Sequence, residues 1–460
     1  MGSKKNAWLK FDDAKKQEIF NFCEGYKKYI SDCKTERESI KEAISLAEAK
    51  GYKDLKNVIS TGESLKAGDK VYYNNMDKSL ALFLIGSESI ESGMRIIGSH
   101  VDSPRLDLKP NPLYEDSELS LMETHYYGGV KKYQWVTIPL ALHGVVVKKD
   151  GTKIDVIVGE EETDPVVMVS DLLIHLAAEQ QQKKAAEVIA GEDLNILVGS
   201  MPLEGEEKEA VKANILKLLK EKYDFEEEDF MSAEIEIVPA GKARDLGLDR
   251  SMVAGYGHDD RICAYTSLLA LLETESVKKT SVVLLVDKEE VGSIGATGMQ
   301  SRFFENAVAE LMDRVGEYSE LKLRRALANS KMLSSDVTAA FDPNYAGAYE
   351  KKNSAFFGKG LAFAKYTGAR GKSGCNDANA EFVAWLRNVM DESDVSYQMA
   401  ELGKVDQGGG GTIAYILAEY GMEVIDCGVA LQNMHAPWEV ASKVDIYETM
   451  RGYKAFLIAE

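Results

Sequence analysis

Residues 281–286 read Ser-Val-Val-Leu-Leu-Val and run straight into an acidic stretch, Asp287, Glu289 and Glu290. A strand apolar at nearly every position has no face to give to water. It needs cover above and below, as the inner parallel strands of an α/β sheet have. The segment therefore predicts an α/β fold with a central sheet, and it places acidic side chains just past the end of a buried strand. Open α/β sheets bind their ligands at that end.

The rest of the chain arranges itself around this prediction. Residues 14–33 and 36–51 carry apolar side chains at helical spacing, the second run closed by Gly51. The segments KVYYNN, SLALFLIG and MRIIGSH then read as strands. From residue 111 to 250 the texture changes to alternating, β-rich segments around an acidic helical stretch at 205–229. After residue 250 helices and strands alternate again. The expected organisation is a first domain in two parts, 1–110 and 251–460, interrupted by an inserted β-rich domain at 111–250.

Hydrophobic residues make up 45% of the chain, enough for a sizeable core. The formal net charge of −20 argues against nucleic acid and anionic membrane surfaces as partners. Five scattered cysteines without a CxxC pair support neither a disulfide framework nor a cysteine zinc site. The longest uncharged apolar stretch, 133–147, contains Pro139 and is too short for a membrane helix, which needs about 20 residues. The N-terminal residues lack the apolar stretch of a secretory signal, so the expected location is the cytoplasm.

Two readings of the chemistry compete. Glycine-rich strings at 292–298, 368–374 and 408–411 suggest a nucleotide-binding α/β protein, but none has the spacing of a dinucleotide fingerprint or a P-loop. The second reading rests on dispersed residues. His100 ends the strand MRIIGSH, with Asp102 two positions on, where a carboxylate can fix the histidine tautomer. GHDDR puts His258, Asp259 and Asp260 at a helix start, and DKEEVGS puts Glu289 and Glu290 past the most apolar strand. SSDV puts Asp336 at the start of a further strand, and NMHAPWEV puts His435 past the strand MEVIDCGVAL. A lone histidine, a capping aspartate or an acidic loop is each ordinary. Recurring together at strand termini, they form the nitrogen and oxygen ligand set of a two-metal hydrolase.

The strings HVDSPRLDLKP, GHDDR, DKEEVGS, SSDV with DPNY, and NMHAPWEV resemble the aspartyl aminopeptidases. The resemblance implies a co-catalytic di-metal exopeptidase acting on peptides. Its α/β/α catalytic domain has a central mixed sheet and is interrupted by a β-rich dimerisation domain. Twelve subunits would assemble from dimers into a tetrahedral dodecamer. It implies that His100 and Asp336 bind one metal, Glu290 and His435 the other, and that Asp259 bridges. Glu289 would be the general base and Asp102 the partner of His100. The metals would be zinc, with manganese or cobalt also suited to such ligands. His175, in SDLLIHLAAEQQ, would enter the active site of a neighbouring subunit. A lysine in AKYTGARGKSG would bind an acidic substrate side chain; Lys365 fits by its spacing from Asp336, and Lys372 is the second choice. The run DQGGGGT, starting at Asp406, departs from the shorter Asp-Thr-Pro-Cys-Gly-Thr of better-known members.

Overall fold

A computed structural model describes residues 5–460. Its contacts divide the chain into two compact units. One contains the chain up to Asp102 together with Ala243–Met434 and Glu439–Glu460. The other contains Ser103–Lys242 and the short piece His435–Trp438.

The first unit is built on a nine-stranded mixed sheet. In chain order its strands are β1 (Lys53–Asp54), β2 (Lys70–Asn75), β3 (Ser79–Leu84), β4 (Arg95–His100), β5 (Ser281–Val286), β6 (Lys331–Ser335), β7 (Leu361–Ala364), β8 (Tyr397–Met399) and β9 (Glu423–Gly428). They lie side by side as β1-β2-β3-β5-β4-β6-β9-β7-β8. The apolar segment that predicts a covered strand is β5, and all six of its residues are buried. Its alternation sorts them onto two faces. Val283 and Leu285 pack with helices Glu36–Ala49, His258–Leu272 and Lys443–Ile458, while Val282, Leu284 and Val286 pack with Phe303–Arg314 and Glu320–Ala328. Such a strand cannot tolerate truncation; Leu284→Ala would cost about 2–5 kcal/mol. A small five-stranded sheet, in the order Arg244–Leu246, Met252–Gly255, Glu439–Ser442, Ala430–Gln432 and Thr338–Ala339, also belongs to this unit.

The second unit is an antiparallel seven-stranded sheet. Its order is Lys153–Val158, Leu140–Val147, Ala233–Pro239, Arg105–Asp116, Leu119–Tyr127, Ile196–Gly199 and Met168–Val169, and it is accompanied by helix Ala210–Tyr223. The units divide at 102/103 and 242/243, not at the 110/111 and 250/251 read from texture. Strand pairing sets these limits. The long strand Arg105–Asp116 pairs from its first residues with Leu119–Tyr127, so residue 111 falls inside it. Arg244–Leu246 pairs with Met252–Gly255, which in turn pairs with Glu439–Ser442, and this ties residues 244–250 to the first unit.

Candidate active site

Three neighbouring parallel strands end together. Val286 of β5 is in register with His100 of β4, and Ser334 of β6 with Gly98 of β4. The residues following these ends are Asp287 with Glu289 and Glu290 after β5, Asp102 after β4, and Asp336 after β6. Asp336 therefore sits past a strand end, not at a strand start as SSDV suggests. The strand is Lys331–Ser335, and the Asp336 N–H donates to Cys427 O at 2.9 Å. The polar sequence KMLSS hides a strand that pairing with β4 and β9 makes fully internal.

After β5 the chain turns through Lys288, whose left-handed backbone (φ 69°) reverses its direction. The N–H groups of Glu289 and Glu290 then reach the two oxygens of Asp102, each at 3.2 Å. Asp102 also faces the ring of His100, whose Nδ1 lies 3.0 Å from Asp102 O and 3.3 Å from its Oδ1. One buried carboxylate thus orients both the histidine and the paired glutamates. With a proton on Nδ1, the lone pair of His100 is on Nε2.

That Nε2 atom is buried and makes no hydrogen bond. It lies 3.2 Å from Asp259 Oδ1 and 3.8 Å from both Glu289 Oε2 and Asp336 Oδ1. A lone pair aimed among carboxylate oxygens is repulsive unless a cation, or a proton, lies between them. The donors fit a divalent metal of intermediate softness. Ligand atoms of His100, Asp260 and Asp336 lie within 4.8 Å of one another, as do those of His100, Glu289 and Glu290. Burial works against the charged form of His100, but Asp102, Asp259 and Asp336 outweigh it and lift its pKa well above the usual value.

The carboxylates respond in the complementary sense. Burial, with repulsion from Asp336, Asp259 and Asp102 against relief from His100, pushes Glu289 up to about 8. Burial also raises Asp336. Asp260, fully buried, is driven well above the ordinary carboxylate range by burial and then by the charge of Asp336. So many acids in a dry space ionise together only when cations compensate them.

Helix His258–Leu272 supplies Asp259 and Asp260, which are joined by a cis peptide. The Asp259 N–H donates to Glu439 Oε2 at 3.0 Å, and Asp260 Oδ2 accepts the His100 N–H at 3.3 Å. Sequence reading treats Asp260 as part of a helix cap and passes over Glu439. The only sign of the first is the doubled aspartate, and Glu439 gives no sign at all. His258 stands apart from this chemistry. It stacks on Tyr26, its Nδ1 lies 2.5 Å from Tyr26 Oη, and burial lowers its pKa to about 3.

The remaining candidates sit on other segments of the chain. Lys365, just past β7, and Lys372 share one carboxylate, Asp377, at 2.6 and 2.9 Å. His435 groups with the second unit, where its Nδ1 lies 2.9 Å from Gly129 O. Its chain neighbours Met434 and Glu439 belong to the first unit. His175 occupies the short 3-10 turn Ile174–Leu176 in the second unit, neither a regular helix nor a strand, and it is exposed.

Known proteins match along the whole chain. Residues 29–457 match the model of the aminopeptidase I zinc metalloprotease family, M18. A protein of Clostridium acetobutylicum named "Probable M18 family aminopeptidase 1" is 66% identical over 454 residues, covering 98% of each chain. The crystal structure of an M18 aminopeptidase from Thermotoga maritima superposes with a TM-score of 0.95 at 45% identity, covering 99% of each chain. A structure of the S. cerevisiae mApe1 dodecamer shares the fold, with a TM-score of 0.77 at 20% identity, covering 95% of this chain and 96% of that one. With matches of this length and identity, the chain is an aminopeptidase and belongs to the M18 family of zinc metalloproteases.

Proposed function

We propose that the chain is a di-metal aminopeptidase that releases the N-terminal residue of peptides, with a preference for Asp or Glu. The observation that carries this reading is His100 Nε2, buried, without a hydrogen bond and ringed by Asp259, Glu289 and Asp336. His100 and Asp336 would hold one ion, Glu290 and His435 the other, and Asp259 would serve both. The family description supports zinc, and manganese and cobalt suit the same donors. When bound, the ions polarise the scissile carbonyl and acidify water.

The protein's own groups do the rest. Glu289 takes a proton from the attacking water and hands it to the departing amine. Asp102, gripping the N–H groups of residues 289 and 290, keeps that carboxylate aimed while it orients His100. His175 donates to the developing oxyanion in the site of a neighbouring copy. Support comes from its surroundings: Leu172, Leu173, Ile174 and Leu176 are 45–66% exposed, an apolar face suited to another subunit. Dimers of this kind would build a dodecamer, the assembly named for the yeast relative.

Lys365 and Lys372 receive the acidic side chain. Two ammonium groups share a single Asp377, so one positive charge is left to match one substrate carboxylate. Metal analysis of the purified protein, followed by chelation and restoration on Asp- and Leu-aminoacyl reporters, tests the reading. Stoichiometric metal with activity that follows it is expected; full turnover after complete metal removal overturns it.

A further inference from the structure

The glycine run at 408–411 meets the segment that carries both lysines, and at Gly409 the structure shows why the residue is glycine. Two segments follow the paired strands β7 and β8. One, residues 365–378, carries both lysines and closes on itself through the Ala378 N–H to Lys365 O at 2.9 Å and the bridge between Ala369 and Ser373. The other, residues 401–412, carries the glycines.

The two segments are locked together. Tyr366 Oη donates to Glu401 Oε1 at 2.7 Å, and the Gly410 N–H points to Thr367 O at 3.4 Å. Gly409 lies directly against Ala369. A Cβ on Gly409 would stand 2.5 Å from Ala369 Cα and 2.8 Å from its N, and its φ of +126° suits glycine alone. The far end of the run is pinned by Thr412, whose hydroxyl donates to Asp426 Oδ1 at 2.6 Å. Asp426 is buried on β9, next to Cys427, whose carbonyl holds the N–H of Asp336. The strand that fixes a metal-site carboxylate therefore also fixes the glycine run, and the glycine run fixes the lysine segment. Gly411, by contrast, has open space around its would-be Cβ and no positive φ.

We propose that Gly409 is a specificity-determining positioning residue: by letting the glycine run pack against Ala369, it sets the place of the lysine segment and so the choice of N-terminal residue. The acidic direction of that choice rests on the proposed function; the coupling between the two segments does not. The test is a kcat/KM profile over Asp, Glu, Ala, Leu and Lys reporters for the metal-loaded wild type, Gly409→Ala and Gly411→Ala.

Gly409→Ala should flatten the ratio of best to worst substrate by about 10-fold, the weight of one charge-assisted contact, mainly through KM. Metal content should stay at the wild-type level and Gly411→Ala should keep the wild-type profile. Should Gly409→Ala not fold, Tyr366→Phe cuts one of the same ties without steric load and should shift the ratio in the same direction. A Gly409→Ala or Tyr366→Phe profile that superimposes on wild type overturns the proposal. So does a loss by one common factor on every substrate. If the wild type prefers neutral residues and Gly409→Ala still reshapes the profile, the acidic preference falls and the coupling stands.

Discussion

The strand ends of the first unit and the 172–176 segment of the second invert the usual distribution of side chains in opposite ways. At the strand ends and the helix start that meets them, His100, Asp102, Asp259 and Asp260 are at most 3% exposed, where apolar residues would ordinarily lie. In the segment around His175, four aliphatic side chains stand in solvent. Buried acids call for cations, and exposed aliphatic groups call for another apolar surface. The difference matches the two halves of the proposed chemistry, in which the charge-handling groups would come from one chain and the oxyanion donor from a second.

Metal removal attacks the first region alone and should have the largest effect. Chelation should abolish hydrolysis, and zinc, manganese or cobalt should restore it. Glu290→Gln should reproduce part of that loss by lowering bound metal, measured by elemental analysis. Glu289→Gln should keep the metal and lose about 10²–10⁴-fold in kcat, because an amide cannot take the proton. If the two variants exchange behaviours, the base and the ligand are exchanged too.

The second region breaks differently. His175→Ala should lower kcat by about 10²–10³-fold, the weight of one oxyanion donor, with metal and assembly intact. Co-expressed with Glu289→Gln, it should recover part of the activity, since a mixed dimer contains one site with both residues. No recovery in demonstrated mixed dimers would confine His175 to its own subunit and remove the comparison's second half.

The two regions were also unequally legible in the sequence. His100 declares itself by closing an apolar strand, and Glu289 and Glu290 by following another after only Asp287 and Lys288, so the change from buried to charged marks the sheet's edge. Asp336 is readable as a carboxylate but not as a strand-end residue. The strand before it, Lys331–Ser335, is half polar and becomes internal only through its neighbours. Glu439 and its bond to Asp259 are invisible, because they depend on the pairing of Met252–Gly255 with Glu439–Ser442, far apart in the chain. The insert was legible as β-rich but not in its limits, because texture changes inside a strand and pairing does not. His175 carried no local signal; only resemblance singles it out.

Lys365 and Lys372 belong to neither extreme, and their expected effect is the smallest. Their side chains and that of Asp377 are 42–44% exposed, so water and salt already screen the contacts between them. Replacing one lysine should therefore leave thermal stability nearly as it was. Selectivity is another matter, because a substrate carboxylate placed between the two ammonium groups meets a charge that Asp377 only half neutralises. Lys365→Met should lower the preference for Asp over Leu substrates by about 10-fold, most of it in KM, and Lys372→Met by less. Asp377→Asn should move the ratio the other way, since it frees both lysines for the substrate. Equal losses on Asp and Leu reporters would mean that the lysines support the segment's shape and do not read the substrate. A wild-type enzyme fastest on Leu or Lys would refute the acidic preference itself. Either result would leave the buried strand-end cluster, and with it the peptidase chemistry, where it stands.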